Sequence, residues 1–288
     1  MQRVRRIRRA TSSHRQEFTA PEMAPEQLPS QDPGNAALLR ERMDLHAQLF
    51  EAAQIQRKLS GPRMMKVGDV QFASEVFAAR YLSGDFVTLS ADGPVVCAAL
   101  GDIAGKGLAA GMWFTNLVGL LYRYANCADP AKVATEINQY LCCMSPGAPF
   151  VTMFLAHIDT ATNELSYCTA GHYPPLVVRD SGEFERLEQG GPLLGVMNNA
   201  TFARGRITLH AGDTVVAYSD GILECCDGLG EEFGVERLEA AARTALRGSA
   251  HATVMSLLGS VQDFANGNPI CDDMSLMVIH REKKLALM

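Results

Sequence analysis

Val95-Val96-Cys97-Ala98-Ala99-Leu100-Gly101-Asp102-Ile103-Ala104-Gly105-Lys106-Gly107 carries an apolar run into an aspartate and then a glycine-rich turn. The run reads as a buried strand, and the glycines mark where it ends. The arrangement recurs elsewhere. Thr214-Val215-Val216-Ala217-Tyr218 leads into Ser219-Asp220-Gly221, and Cys271-Asp272-Asp273 leads into Met274-Ser275-Leu276-Met277-Val278-Ile279. A fourth acidic turn is Ser83-Gly84-Asp85-Phe86. Rigid strands that bring carboxylates to one edge of a sheet build what a hard-cation site needs. Bare carboxylates about 4 Å apart repel by roughly 4 kcal/mol per pair at an effective dielectric near 20. A converging set is therefore expected to hold cations, which points to a metal-dependent enzyme.

The segment Gly101 to Gly107 superficially matches a phosphate-binding loop, and its spacing excludes one. That loop needs four residues between its glycines and a Ser or Thr after the lysine. Here three residues separate Gly101 from Gly105, and Gly107 follows Lys106. Asp102 would also set a negative charge where phosphate should lie. A carboxylate beside an exposed backbone carbonyl is instead a good ligand pair for Mg²⁺ or Mn²⁺.

Outward from this segment, strands are expected near 69–79, 85–90, 94–101, 150–158, 164–170, 175–179, 183–188, 202–208, 213–219 and 274–281. Turns such as Asp159-Thr160-Ala161-Thr162-Asn163 and Asp180-Ser181-Gly182 predict antiparallel pairing. Helices fit 107–125, 130–144, 234–247 and 251–265, the second started by Asp129 and Pro130. Strands group with strands and helices with helices, an α+β pattern.

Upstream, Asn35 to Ser60 reads as one helix with Asn35 as its cap, stopped by Gly61-Pro62. Leu38, Leu45, Ala52 and Leu59 recur every seven residues beside a stripe of Leu39, Met43 and Phe50. Two such stripes fit contact on two sides, and equally a helix packed on its own domain. Residues 1–16 hold six arginines and no acid, and 17–35 carry Pro21, Pro25, Pro29 and Pro33. The organisation expected is a basic, Pro-rich disordered tail over 1–34, a regulatory or dimerisation helix over 35–61, and a catalytic domain over 62–288.

With 288 residues, 47% of them hydrophobic, the chain can bury one sizeable core plus an appendage. A net charge of −6 argues against nucleic acid as a partner of the body of the protein. No apolar run approaches a membrane span of about 20 residues. The eight cysteines form no C-x-x-C and read as reduced, small apolar residues, so a cytoplasmic protein is expected.

The order of the motifs carries a resemblance. Ser-Gly-Asp-Phe from Ser83, Gly-Asp-Ile-Ala-Gly-Lys-Gly-Leu-Ala-Ala from Gly101, Phe-Val-Thr-Met-Phe from Phe150 and Thr-Ala-Gly-His-Tyr-Pro-Pro from Thr169 come first. Gly-Pro-Leu-Leu-Gly from Gly191, Ser-Asp-Gly-Ile-Leu-Glu from Ser219 and Asp-Asp-Met-Ser from Asp272 follow. Over roughly residues 50–281 the chain resembles the SpoIIE/RsbU branch of the PPM metal-dependent serine/threonine phosphatases. The resemblance implies a four-layer α-β-β-α sandwich of two mainly antiparallel sheets with two Mn²⁺ or Mg²⁺ ions at one edge. Carried over residue by residue, Asp102 bridges both ions, the Ile103 carbonyl binds one, and Asp220 and Asp272 hold the other. Asp85 corresponds to a more peripheral acid and Asp273 to a supporting one. Thr152, Gly171, His172, Pro174 and Pro175 fall in motifs of sheet and turn.

The chemistry implied is hydrolysis of phosphoserine or phosphothreonine on a regulatory protein by a hydroxide formed between the ions. A STAS-type anti-sigma-factor antagonist is the partner such relatives suggest, with a homodimer through residues 35–60. The alternative is a pseudophosphatase that binds a phosphoprotein without turnover. Ala104 stands where many eukaryotic relatives have a histidine, and Val87-Thr88 replaces a common aromatic-Asp pair.

Overall fold

The run from Val95 to Ile103 has no polar face. Val96, Ala98 and Leu100 are buried on one side, and Ala99 and Ile103 on the other. Successive side chains of a strand point to opposite faces, so this strand lies in a sheet covered twice. A computed structural model, which describes residues 33–144, 147–245 and 248–283, shows the covering layers.

The chain begins with α1 (Pro33–Leu59), β1 (Met64–Val67), β2 (Val70–Phe77), β3 (Asp85–Asp92) and β4 (Val95–Ile103). Next come α2 (Leu108–Arg123), α3 (Pro130–Cys143), β5 (Val151–Asp159), β6 (Glu164–Ala170), β7 (Leu176–Val178), β8 (Phe184–Arg186) and β9 (Gly190–Gly191). The rest is β10 (Gly205–Thr208), β11 (Thr214–Tyr218), α4 (Asp220–Leu223), α5 (Gly234–Ala245), α6 (Ala250–Ala265) and β12 (Met274–Arg281).

One sheet has the order β1-β2-β12-β11-β7-β8 and the other β10-β6-β5-β4-β3. Pairing along both is antiparallel, and the short β9 adds to β6 in parallel. Between the sheets lie Phe72, Leu89, Leu100, Phe154, Val215 and Met277. Phe114, Leu117 and Ile137 of α2 and α3 pack on the outer face of the second sheet, against Ala99 and Met153. Leu238 of α5 with Val254 and Leu257 of α6 cover the first sheet at Val216 and Leu276. The result is the α-β-β-α sandwich. Each fully buried Leu, Val or Phe in these layers is worth about 1.5–3 kcal/mol of transfer free energy.

The local signals explain most element boundaries. Asp129 caps α3 by accepting from the Ala131 amide at 3.1 Å, with Pro130 in the first turn. The turn 159–163 is closed by Asp159 Oδ1, which accepts from the Ala161 amide at 2.9 Å. Three details differ from expectation. The strand expected over 69–79 is β2, and the strand β1 that pairs with it just upstream was not expected. The first helix starts at Pro33 rather than after an Asn35 cap, a position where proline's missing N–H costs nothing. The single turn of α4 had no periodic signal. The expected basic tail and linker at 1–32 lie outside the described residues.

The chain divides into two compact units between Asp44 and Leu45, and the second carries both sheets. Leu38, Leu39 and Met43 in the first unit are exposed, as are Leu45, Phe50 and Ile55 in the second. Among the described residues no helix is long and apolar enough to cross a membrane.

Candidate metal centre

Strand direction gathers the acids. β3 starts at Asp85 and pairs antiparallel with β4, so Asp85 stands directly opposite Asp102 near the end of β4. Asp102 is also opposite Thr152 near the start of β5. In the other sheet β11 ends at Tyr218 just before Asp220, and its antiparallel partner β12 begins just after Asp273. All four acidic turns therefore lie at one edge of the sandwich. Ser219 and Ser275 extend the β11–β12 pairing, with the Ser219 amide donating to the Ser275 carbonyl at 3.0 Å. A Cβ on Gly221 would sit 2.0 Å from the Asp273 carbonyl oxygen. Only glycine lets the Asp220 and Asp272 segments approach so closely.

Asp102 lies within β4 rather than beyond its end, and it is half-buried. Burial, followed by the carboxylates of Asp220, Asp272 and Asp273, pushes it up to about 6. Asp85 is the deepest of the set, 2% exposed, and its Oδ2 has no hydrogen-bond partner. Burial and then the Asp102 charge raise Asp85 well above the usual carboxylate range. Asp220 is raised too, first by burial, with Asp272 adding to it. Like charges crowded together in this way call for a cation.

The backbone supplies more oxygen. A Cβ on Gly84 would lie 2.9 Å from the Ile103 carbonyl oxygen, 3.1 Å from Asp102 Oδ1 and 3.3 Å from the Gly105 carbonyl oxygen. Three oxygens thus face a space that any side chain at position 84 would fill. This all-oxygen donor set, with an orphaned carboxylate oxygen behind it, fits Mg²⁺ or Mn²⁺. Among the described residues no three His, Cys, Asp or Glu side chains already stand at the spacing of a single ion's ligands. Asp272 pairs instead with Lys106, Nζ to Oδ1 at 2.8 Å.

Asp273 has both carboxylate oxygens engaged. Oδ1 accepts from the Ala79 amide at 2.7 Å, and Oδ2 accepts from the Gly84 amide at 2.7 Å and the Ser83 hydroxyl at 2.9 Å. It fastens the segment that crosses from β2 to β3. Gln56 of α1 grips the same segment, donating to the Ser83 carbonyl at 2.7 Å and accepting from the Ser83 amide at 3.1 Å. His172 is buried, its Nδ1 2.8 Å from the Thr152 hydroxyl, and burial lowers it to about 4. It is neutral at pH 7.

The structure thus brings Asp85, Asp102, the Ile103 carbonyl, Asp220, Asp272 and Asp273 to one edge. Four contributors escaped the sequence reading: Lys106 as an ion-pair partner, Glu224, Gln56 and the Ser219–Ser275 pair. Glu224 is raised by burial and then by Asp220. The two serines stand inside motifs already quoted. Gln56 stands in the helix that leads into the resembling domain, but its role had no signal because its partner Ser83 is far away in sequence.

Residues 92–282 match the family model described as Stage II sporulation protein E (SpoIIE). The chain is 26% identical to Protein IcfG of Synechocystis over 66% of its own length, and spans 35% of that protein. It is 24% identical to phosphoserine phosphatase RsbU of Bacillus subtilis, covering 84% of this chain and 72% of that one. The solved structure of the SiaA PP2C domain of Pseudomonas aeruginosa superposes with a TM-score of 0.72 at 17% identity, covering 83% of this chain and 98% of that chain.

Proposed function

The chain belongs to the SpoIIE family, and we propose that it is a metal-dependent protein phosphatase hydrolysing phosphoserine or phosphothreonine on a regulatory protein. The observation that carries this reading is the convergence of Asp85, Asp102, Asp220 and Asp272 on one sandwich edge, with the oxygens around Gly84. Asp102 and the Ile103 carbonyl would hold one Mn²⁺ or Mg²⁺ ion, and Asp102 together with Asp220 and Asp272 would hold a second. Such a pair of ions supplies an acidified water and neutralises phosphoryl charge.

The protein's own part is positioning. Asp273 and Gln56 fix the segment before Asp85, and Asp85 backs the cluster from inside. Lys106 is exposed at the mouth, with the charge of Arg80 close enough to act on it. These two cations would orient the phosphoryl group. Water adds to phosphorus as the ester P–O bond breaks, and the departing serine or threonine oxygen takes its proton from solvent. His172 is buried and neutral, so it takes no part in that transfer.

The similarity to phosphoserine phosphatase RsbU supports a phosphoserine protein substrate. We place a STAS-type phosphoprotein there. A second copy of this chain, paired along the exposed stripe of α1, is the partner that would set the helix and hence its grip on Ser83. The cytoplasm suits the eight free thiols.

The test is release of phosphate from a phosphoserine STAS protein, with Mn²⁺ and with EDTA, for wild type and Asp220→Asn. Turnover should require Mn²⁺ and fall at least 10–100-fold in the variant, the scale of losing even an outer partner of a metal ligand. Tight binding of the phosphoprotein by the Mn²⁺-loaded wild type without phosphate release would make it a pseudophosphatase.

A further inference from the structure

Beside the metal centre, and sharing Asp272 with it, lies a cleft of about 120 Å³. Its lining includes Glu224, Cys225, Cys226, Pro269, Cys271 and Asp272. Three of the eight cysteines meet here, and they come from two segments. Cys225 and Cys226 follow α4, which begins with Asp220. Cys271 immediately precedes Asp272. The segments touch: Asn268 Nδ2 donates to the Cys226 carbonyl at 3.3 Å. Cys226 and Cys271 are exposed and Cys225 is half-buried. Burial raises the Cys225 thiol, and the nearby thiols of Cys226 and Cys271 raise it further.

We propose that this trio is a redox modification site, at which a peroxide joins Cys271 to the Cys225–Cys226 pair by a reversible disulfide. Exposure fits Cys226 and Cys271 to meet the oxidant, since a thiol must be reachable to react. One thiol attacks the peroxide and becomes a sulfenic acid, releasing one water. The second thiol then displaces hydroxide from that sulfur, so a second water leaves and the S–S bond forms. Two thiols are oxidised and one peroxide is reduced. A bridge between adjacent cysteines alone would strain the intervening peptide, which favours closure across the cleft to Cys271. Disulfide geometry is narrow, so a bridge to Cys271 would fix the backbone there and with it the place of the neighbouring Asp272 carboxylate.

The consequence is a phosphatase that switches off under oxidation and recovers with a dithiol reductant. The chemistry of the bridge stands apart from the catalytic reading, and the experiment separates them by reading mass as well as turnover. The full-length protein is treated with a modest excess of hydrogen peroxide, its remaining thiols are blocked, and it is digested with trypsin without reduction. Cleavage after Arg206 and Arg237 releases residues 207–237, whose cysteines are Cys225 and Cys226. Cleavage after Arg247 and Arg281 releases residues 248–281, which contain Cys271 alone.

The expected result, read before the thiols are blocked, is an intact mass lower by about 2 Da, as two thiol hydrogens leave. These two peptides should be linked within one chain, and dithiothreitol should separate them. Mn²⁺-dependent turnover should fall at least 10-fold on oxidation and return on reduction. Cys271→Ser should turn over normally when reduced, form no such link and keep its activity in peroxide. Cys226→Ser tests the remaining bridge from Cys225. Linkage between chains, bridges confined to other cysteines, or oxidation to sulfinic acid without a link would overturn the site. A formed link that leaves turnover unchanged would overturn the switch.

Discussion

Asp102 is half-buried and faces three other carboxylates, so in the ion-free protein its charge destabilises the fold. Its folded value of about 6 lies above the 3.8 of an ordinary aspartate. The sign follows directly. Its contribution to stability is complete below pH 3.8 and is lost as pH rises through about 6. In urea unfolding with EDTA, Asp102→Asn should gain on wild type by up to about 3 kcal/mol between pH 4 and pH 7.5. His172, lowered to about 4 by burial, loses stability as pH falls below 6.5. That loss is shared by both proteins and cancels in the difference. A difference that stays flat with pH would mean that burial and the neighbouring carboxylates do not raise Asp102. Gly84 makes a complementary case. Alanine there would thrust a methyl group to 2.9 Å from the Ile103 carbonyl oxygen. Gly84→Ala should weaken Mn²⁺ binding at least 10-fold by calorimetry while the ion-free protein unfolds cooperatively.

Among the elements, α1 is the one that reaches the centre from outside the sandwich. Its Gln56, 8% exposed, satisfies both backbone groups of Ser83. Its neighbourhood adds the Tyr122 hydroxyl, which donates to the Leu59 carbonyl at 3.3 Å, and His46 Nδ1, 2.7 Å from the Tyr81 hydroxyl. Gln56→Leu keeps the bulk and leaves a buried N–H and C=O unpaired. The expected cost is about 1–3 kcal/mol in chemical denaturation, with a fall in Mn²⁺ affinity because Asp85 follows the released segment. A variant as stable as wild type would show that Ser83 finds water instead. The β2–β3 crossing is thus held from two sides, by Gln56 of α1 and by Asp273 at the head of β12.

For the whole molecule, the exposed Leu45 and Phe50 of α1 leave an apolar stripe that a second copy would cover. Sedimentation should give twice the chain mass, and Leu45→Glu with Phe50→Glu should return it to one chain with the sandwich intact. A wild type that sediments as one chain at all concentrations would remove the dimer. Much of the fold was legible in the sequence. Asp129-Pro130 announced α3, the apolar runs announced β4, β11 and β12, the order of seven motifs announced the family, and the acidic turns announced the edge where the carboxylates gather. These signals are local: a capping side chain, a two-residue alternation or a glycine acts on its own neighbours, and so it can be read in order along the chain. Which groups meet across the sheets was not legible. The pairing of Asp85 with Asp102 depends on the register of β3 on β4. The occupation of both Asp273 oxygens depends on where the β2–β3 segment crosses, and the meeting of Cys225 with Cys271 on the path of α5 and α6 between them. Tertiary packing alone decided these, because each contact joins residues whose approach is set by the burial of whole layers rather than by any nearby residue.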